Sequence, residues 1–239
     1  MNLSRNNLLT GAVLGAFIAL GLIWSGSYLR TVGKIWQEST RIASVKGVAE
    51  REQKADMAIW PLNFRVEAND LAALQTQLQK SEALTRAFLE HQGFDNSELS
   101  LSPIQVRDRN DESYSDKHFD IRYTASATVV VRTTKVEAVR LASRRTGELV
   151  SQGVLLTANE GYDAEYQFTH LNDIKPQMIH EATSSARKAA EQFAVDSGSH
   201  LGSIKNATQG YFSVEDLDRY TPDIKKIRVV TNIDYTLKD

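Results

Sequence analysis

Apolar and polar positions alternate along much of the chain with a period of two. Trp60, Leu62, Phe64, Val66 and Ala68 alternate with Pro61, Asn63, Arg65 and Glu67. Such a run is a strand with one buried face. The same rhythm returns at Ile121, Tyr123, Ala125, Ala127, Val129 and Val131, again at Tyr162, Ala164, Tyr166 and Phe168, and last at Ile227, Val229, Ile233, Tyr235 and Leu237. Pro61 has no N–H for a ladder, so its strand is expected at a sheet edge or with a bulge there.

Between these runs the period lengthens to that of a helix. Asn69-Asp70 caps a helix over about Leu71–Gln92, with Leu71, Leu74, Leu78, Leu84 and Phe88 on one face and Gly93 at the left-handed position past its end. Thr134 and Glu137 have the spacing of a capping box and open a second helix that ends before Gly153. Asn172-Asp173 opens a third, with Pro176 in its first turn. Its stripe of Ile179, Ala182, Ala186, Ala189, Ala190, Phe193 and Ala194 is mostly alanine, and such side chains permit close approach to a sheet or a partner helix.

The strands arrange as four pairs. These are Ile42–Ala68, Glu98–Arg107 with Lys117–Arg132, Val154–Leu156 with Tyr162–Phe168 across a hairpin turn at Asn159-Glu160-Gly161, and Leu201–Val214 with Lys226–Leu237. Antiparallel strand pairs alternating with three helices define a mixed α+β fold over residues 42–239.

The N-terminal part is different. After a short tail, residues 1–7, the chain runs from Leu8 to Leu29 without a charge. That is long enough to span the roughly 30 Å hydrocarbon layer as a helix. Trp24 and Tyr28 stand at its end, where amphipathic rings favour the membrane interface, and residues 30–41 read as a juxtamembrane linker. The length favours an uncleaved anchor over a cleaved leader, for which Ser25 and Ser27 offer only a weak processing site. Arg5 on one side and Arg30 and Lys34 on the other leave the orientation unset by charge. A short N-terminus ahead of a first helix fits a single-pass signal anchor with the domain outside the cytoplasm. Gly11, Gly15 and Ala19 form a ridge of small residues suited to packing against a second membrane helix.

Composition narrows the chemistry. Lys and Arg total 28 against 30 Asp and Glu, for a net charge of -2, which gives no basic excess for a nucleic acid. With no cysteine, disulfides, thiol catalysis and thiolate metal sites are excluded. The five histidines, His91, His118, His170, His180 and His200, share no metal-ligand spacing, and no nucleophile-elbow, phosphate-loop or dinucleotide motif is present. Asp108, Asp111, Glu112 and Asp116 lack the order of a calcium loop. Arg140, Arg144 and Arg145 form a basic patch that reads as a solvated helix face, with contact to an anionic lipid or partner as the sharper alternative.

The stretch EATSSARKAAEQFAVDSGSHLGSIKNATQGYFSV (Glu181–Val214) resembles the SIMPL-domain family, a bacterial envelope group of unknown function. VKGVAEREQKADMA (Val45–Ala58) resembles its opening block and IRVVTNIDYTLKD (Ile227–Asp239) its closing strand. The family's opening block often carries Pro-Asp, where this chain reads Lys54-Ala55-Asp56. The resemblance implies a location outside the cytoplasm, no enzymatic activity, and in some members ring-like or channel-like assembly; no cofactor is expected. It brings no catalytic residue. The resulting expectation is a non-enzymatic protein of the bacterial inner membrane, its domain on the periplasmic side. It contacts membrane lipid and forms a homo-oligomer, with Gly11, Gly15 and Ala19 packing in the membrane and Pro61, Ala182, Ala186, Ala189 and Ala190 as interface candidates. The alternative is a periplasmic binding module for a lipid, peptide or other envelope component.

Overall fold

A computed structural model of the chain describes residues 41–111, 120–157 and 163–238. The proposed membrane segment with Gly11, Gly15 and Ala19 lies outside them, as do Glu112, Asp116, His118 and the turn at Asn159-Glu160-Gly161. Among the described residues no helix is long and apolar enough to cross a membrane.

The fold is α+β with antiparallel sheets and divides into two units. The larger takes Glu50–Lys175 and Ser213–Arg228; the smaller takes the residues up to Ala49, Pro176–Phe212 and those from Val229 on.

At the centre of the larger unit, β2 (Met57–Ala68) and β5 (Tyr123–Thr133) pair without a break, from Ala58 opposite Thr133 to Ala68 opposite Tyr123. The alternation sends Trp60, Leu62, Phe64 and Val66 of β2 and Ala125, Ala127, Val129 and Val131 of β5 into one buried cluster. Helix α1 (Leu71–His91) covers that face with Leu74, Leu78, Phe88 and Leu89. Leu71, expected on this face, is instead 57% exposed, because it stands in the first turn beyond the edge of the packed surface. Asp70 caps α1 by accepting from the Ala73 N–H at 2.8 Å. The helix ends at Gly93, whose φ of 90° lets the Phe94 N–H reach back to the Leu89 carbonyl and drops Phe94 into the core.

Each outer edge of this two-stranded centre is lined by an interrupted strand. β3 (Leu99–Leu101) and β4 (Gln105–Asp108) both pair with β5, and the gap between them holds Pro103. On the other side β6 (Leu155–Leu156) and β7 (Glu165–Gln167) both pair antiparallel with β2, opposite Phe64–Arg65 and Met57–Ile59. Since both run antiparallel to β2, they run in the same direction and lie one after the other along it, so their described residues do not form the expected hairpin. Pro61 is not at a sheet edge, and no bulge occurs there. The Thr157 N–H donates to the Asn63 carbonyl, so odd-numbered residues of β2 turn their polar groups toward this side. By that alternation Pro61 turns toward the side of β2 between its pairings with β6 and β7, where no described residue pairs with it.

The second expected helix is realised in pieces, α2 (Val136–Ala142), a 3-10 turn at Ser143–Arg145 and α3 (Gly147–Ser151). No capping box forms. The Lys135 N–H is taken by the Thr133 hydroxyl at 3.0 Å, while Glu137 turns to Arg140 at 2.9 Å. The Ser143 and Thr146 hydroxyls bond to carbonyls one turn back, which competes with a continuous helix.

The second sheet has β8 (His200–Gln209) and β1 (Ile42–Lys54) flanking β10 (Ile224–Lys238), with β8 antiparallel to β10; the smaller unit holds β8, β1 up to Ala49 and β10 from Val229. β9 (Ser213–Asp216) continues beyond β8 along β10, within the larger unit. β1 and β2, expected as a pair, belong to different sheets. α4 (Leu171–Asp196) begins one residue before Asn172, so Pro176 falls in its second turn. Its buried line is Met178, Ala182, Ala186, Ala190 and Ala194, one residue per turn. Ala186 and Ala190 pack on Ile233 and Tyr235, and Ala194 on Ala43 and Leu237. Opposite this line stands Gly47 of β1. A Cβ there would meet the Ala186 nitrogen at 2.6 Å and its Cβ at 2.8 Å, and the Ala182 carbonyl oxygen closer still. Glycine on the strand and alanine on the helix together set the spacing between the two.

Gly47→Ala is expected to cost about 2–3 kcal/mol, since the helix must lift from the strand to admit one methyl group. Urea denaturation against the native chain measures it, and an unchanged midpoint would contradict the packing.

Candidate functional site

Three local arrangements carry polar or unsatisfied groups that the fold alone does not require. The first is a carboxylate in the turn joining β1 to β2. Asp56 accepts from the Thr169 N–H at 2.9 Å, the Thr169 hydroxyl at 2.9 Å, the His170 N–H at 3.2 Å and the His170 ring Nδ1 at 2.6 Å. These are the residues that immediately precede α4, so Asp56 supplies from across the chain the negative charge and acceptor that a helix N-terminus lacks. The turn itself is held by the Ala55 N–H on the Asp223 carbonyl, 2.8 Å, and the Asp56 N–H on the Gln167 carbonyl, 2.9 Å. Partial burial pushes the Asp56 carboxyl up, but the bonds from His170 and Thr169 together outweigh it and hold it below the usual carboxylate range. The Asp56 hydrogen bond, followed by its charge, raises the His170 imidazole above its ordinary value.

The second arrangement is a cleft of about 430 Å³ in the larger unit. It is lined by the continuous stretch Ala164–Thr169, which contains β7, and by Val214 and Asp216 of β9 with Pro222 and Lys225. Lys225 is buried and its ammonium group binds the Asp216 carboxylate, which compensates the cost of taking a charge out of water. Burial, then the charge of Asp223, push the Tyr166 phenol up.

The third is β8, whose residues from Ser203 to Gln209 are exposed on both faces. β10 occupies one of its edges, and among the described residues no strand occupies the other. The Gly210 N–H bonds to the Val230 carbonyl at 2.7 Å, and the register runs on through Thr208 opposite Asn232. By alternation Ala207 and Gln209 turn their main-chain groups away from β10.

The residues singled out in the sequence do not converge. Ala182, Ala186 and Ala190 are fully buried against the chain's own sheet, whereas Ala189 is exposed. Pro61 lies in the larger unit beside the β6–β7 gap. Arg140 pairs with Glu137 and Arg145 reaches Gln92. Asp108 is bound by Arg122 at 2.8 Å and accepts from the Asn110 N–H at 3.1 Å. No group of three His, Asp or Glu side chains able to hold a metal occurs among the described residues. Sequence reasoning missed Asp56 and the Lys225–Asp216 pair. Asp56 lies 114 residues from His170, so no local pattern could join them; the sequence signal was only an acid placed in a turn between two alternating runs.

The family described as SIMPL, protein of unknown function (DUF541), matches residues 43–226. No curated protein matches the chain.

Asp56→Ala is expected to lower stability by about 1–2 kcal/mol at pH 6, the scale of losing a helix cap. The Asp56 contribution is present above the ordinary carboxyl range and is lost as pH falls through its lowered folded value. The His170 contribution is present below the ordinary imidazole range and is lost as pH rises through its raised folded value. The difference between Asp56→Ala and the native chain is therefore largest in mild acid and shrinks toward pH 9. Urea denaturation at both pH values checks this, and a pH-independent difference would refute the pairing.

Proposed function

The chain belongs to the SIMPL family, and we propose that it is a non-enzymatic envelope protein, anchored in the inner membrane through Leu8–Leu29, that self-assembles on the periplasmic side. The observation that carries this reading is the long outer edge of β8. Among the described residues no strand pairs with the side of β8 toward which Ala207 and Gln209 turn their main-chain groups; such an edge is a template for another strand, and a second copy of the chain offers the same edge for antiparallel pairing. The charge-free segment with its Gly11, Gly15 and Ala19 ridge supports the same assembly from within the membrane. Ala182, Ala186 and Ala190 take no part, because they are spent on the contact with β1 and β10. The absence of a catalytic motif in the sequence supports a role without chemistry.

A second reading, a binding module for an envelope component, is favoured by the cleft beside Lys225.

Mass measurement of the full chain in detergent, and of a chain lacking residues 1–30, tests the first reading. The native chain is expected as an oligomer in both forms. Ala207→Pro removes an N–H that points away from β10, so it should reduce the oligomer while leaving the β8–β10 ladder intact. A monomer in both native forms sinks the proposal.

A further inference from the structure

The cleft in the larger unit is lined in part by two strands, β7 and β9. β7 uses one side to pair with β2, and β9 uses one side to pair with β10. No strand pairs with the other side of either among the described residues. The alternation fixed by Thr157 and Asn63 places Glu165 and Gln167 in bonding contact with β2, so the N–H and C=O of Tyr166 point away from it. On β9, the Leu217 N–H bonds to the Ile224 carbonyl at 2.8 Å. Counting back in the same register, Ser213 and Glu215 face β10, and Val214 and Asp216 turn their main-chain groups outward. Tyr166, Val214 and Asp216 are all among the cleft-lining residues. Residues of both strands whose main-chain groups turn away from their ladder partners therefore line one cleft.

We propose that this slot takes an extended peptide segment of a partner protein, which adds as a strand between β7 and β9. This rests on the binding-module reading above and names its ligand. β7 has three residues and β9 four, so three to four residues of the peptide are engaged. A strand edge at the cleft, with the Tyr166 N–H and C=O turned away from β2, suits recognition of a peptide by strand addition. Side chains of the peptide alternate across the slot, and those on one side meet the apolar surface of Phe168, Val214 and Pro222. The charged residues lining the slot are Glu165, Asp216 and Lys225, and Lys225 is already committed to Asp216. The excess of one carboxylate selects neutral or basic segments over acidic ones. The slot is about the size of an ordinary ligand site.

The test uses the full chain in detergent and a pool of end-blocked hexapeptides randomised at every position, with captured peptides identified by mass spectrometry. A second pool carries N-methyl groups at alternate positions, which removes the donors facing one wall and leaves the side chains unchanged. The expected result is capture of the first pool, enriched in Lys and Arg over Asp and Glu. Capture of the N-methylated pool should be lower by roughly tenfold, since one or two main-chain bonds are lost and the methyl groups crowd the strand edge they face. Val214→Pro deletes an outward N–H and should weaken capture similarly; if that variant fails to fold, the comparison of pools on the native chain still decides. Equal capture of both pools, or capture by a folded Val214→Pro chain equal to native, overturns strand addition while leaving a binding module in place. No capture of either pool overturns both.

Discussion

The unbroken antiparallel ladder between β2 and β5 is the constraint from which the larger unit follows. Because it holds one register from Ala58 to Ala68, every second residue of both strands enters the same core and the others face away. A slip by one residue would exchange Trp60 and Phe64 for Pro61 and Arg65 on the buried face, and the apolar surface at stake makes that slip very costly. With the centre so strongly specified, the flanking strands can be short and interrupted. β3, β4, β6 and β7 add few bonds each, and their breaks accommodate Pro103 on one side and Pro61 on the other.

What the sequence made legible were the features encoded within a few residues. The alternating runs from Trp60 and from Ile121 mark the two central strands, the second of which starts at Tyr123, the Asp70 cap and the Gly93 stop bound α1, and the last run is β10. The fold class follows from these. Less legible were features decided by competition between segments. Tyr166 alternates with its neighbours as a hairpin arm would, yet it pairs with Ala58, because periodicity tells which face a residue takes and not which strand it adjoins. Thr134 and Glu137 have the spacing of a capping box, but the helix starts one residue later, with Lys135 at its cap position, and the Glu137 carboxylate takes Arg140 as its partner.

The candidate sites were harder to read for a related reason. A helix cap delivered by Asp56, a carboxylate held by Lys225 and a slot between two strand edges each require two distant segments, and none leaves a spacing in the sequence. The alanine stripe illustrates the opposite case. Its period was plain, but the same small side chains suit a partner helix and a strand of the same chain equally well. Gly47, more than a hundred residues earlier, decides between them, since only a residue without a side chain lets β1 come that close.

The pairing of β1 with β10 bears on how the chain comes to be folded. The Ser44 hydroxyl donates to the Asp234 carboxylate at 2.6 Å, across 190 residues of sequence. Synthesis at about 5–20 residues per second leaves β1 without its neighbour for roughly 10–40 s. β2 meets β5 after a much shorter interval, so the larger unit gains its core while the smaller one is still waiting for its central strand. Contacts of such separation slow the search for the native state and prolong the life of an unpaired strand. Ser44 and Lys46 put polar groups on that strand, and Gly47 gives it little surface to aggregate through. The residue that lets the helix come close in the finished protein also keeps its strand inconspicuous during the delay.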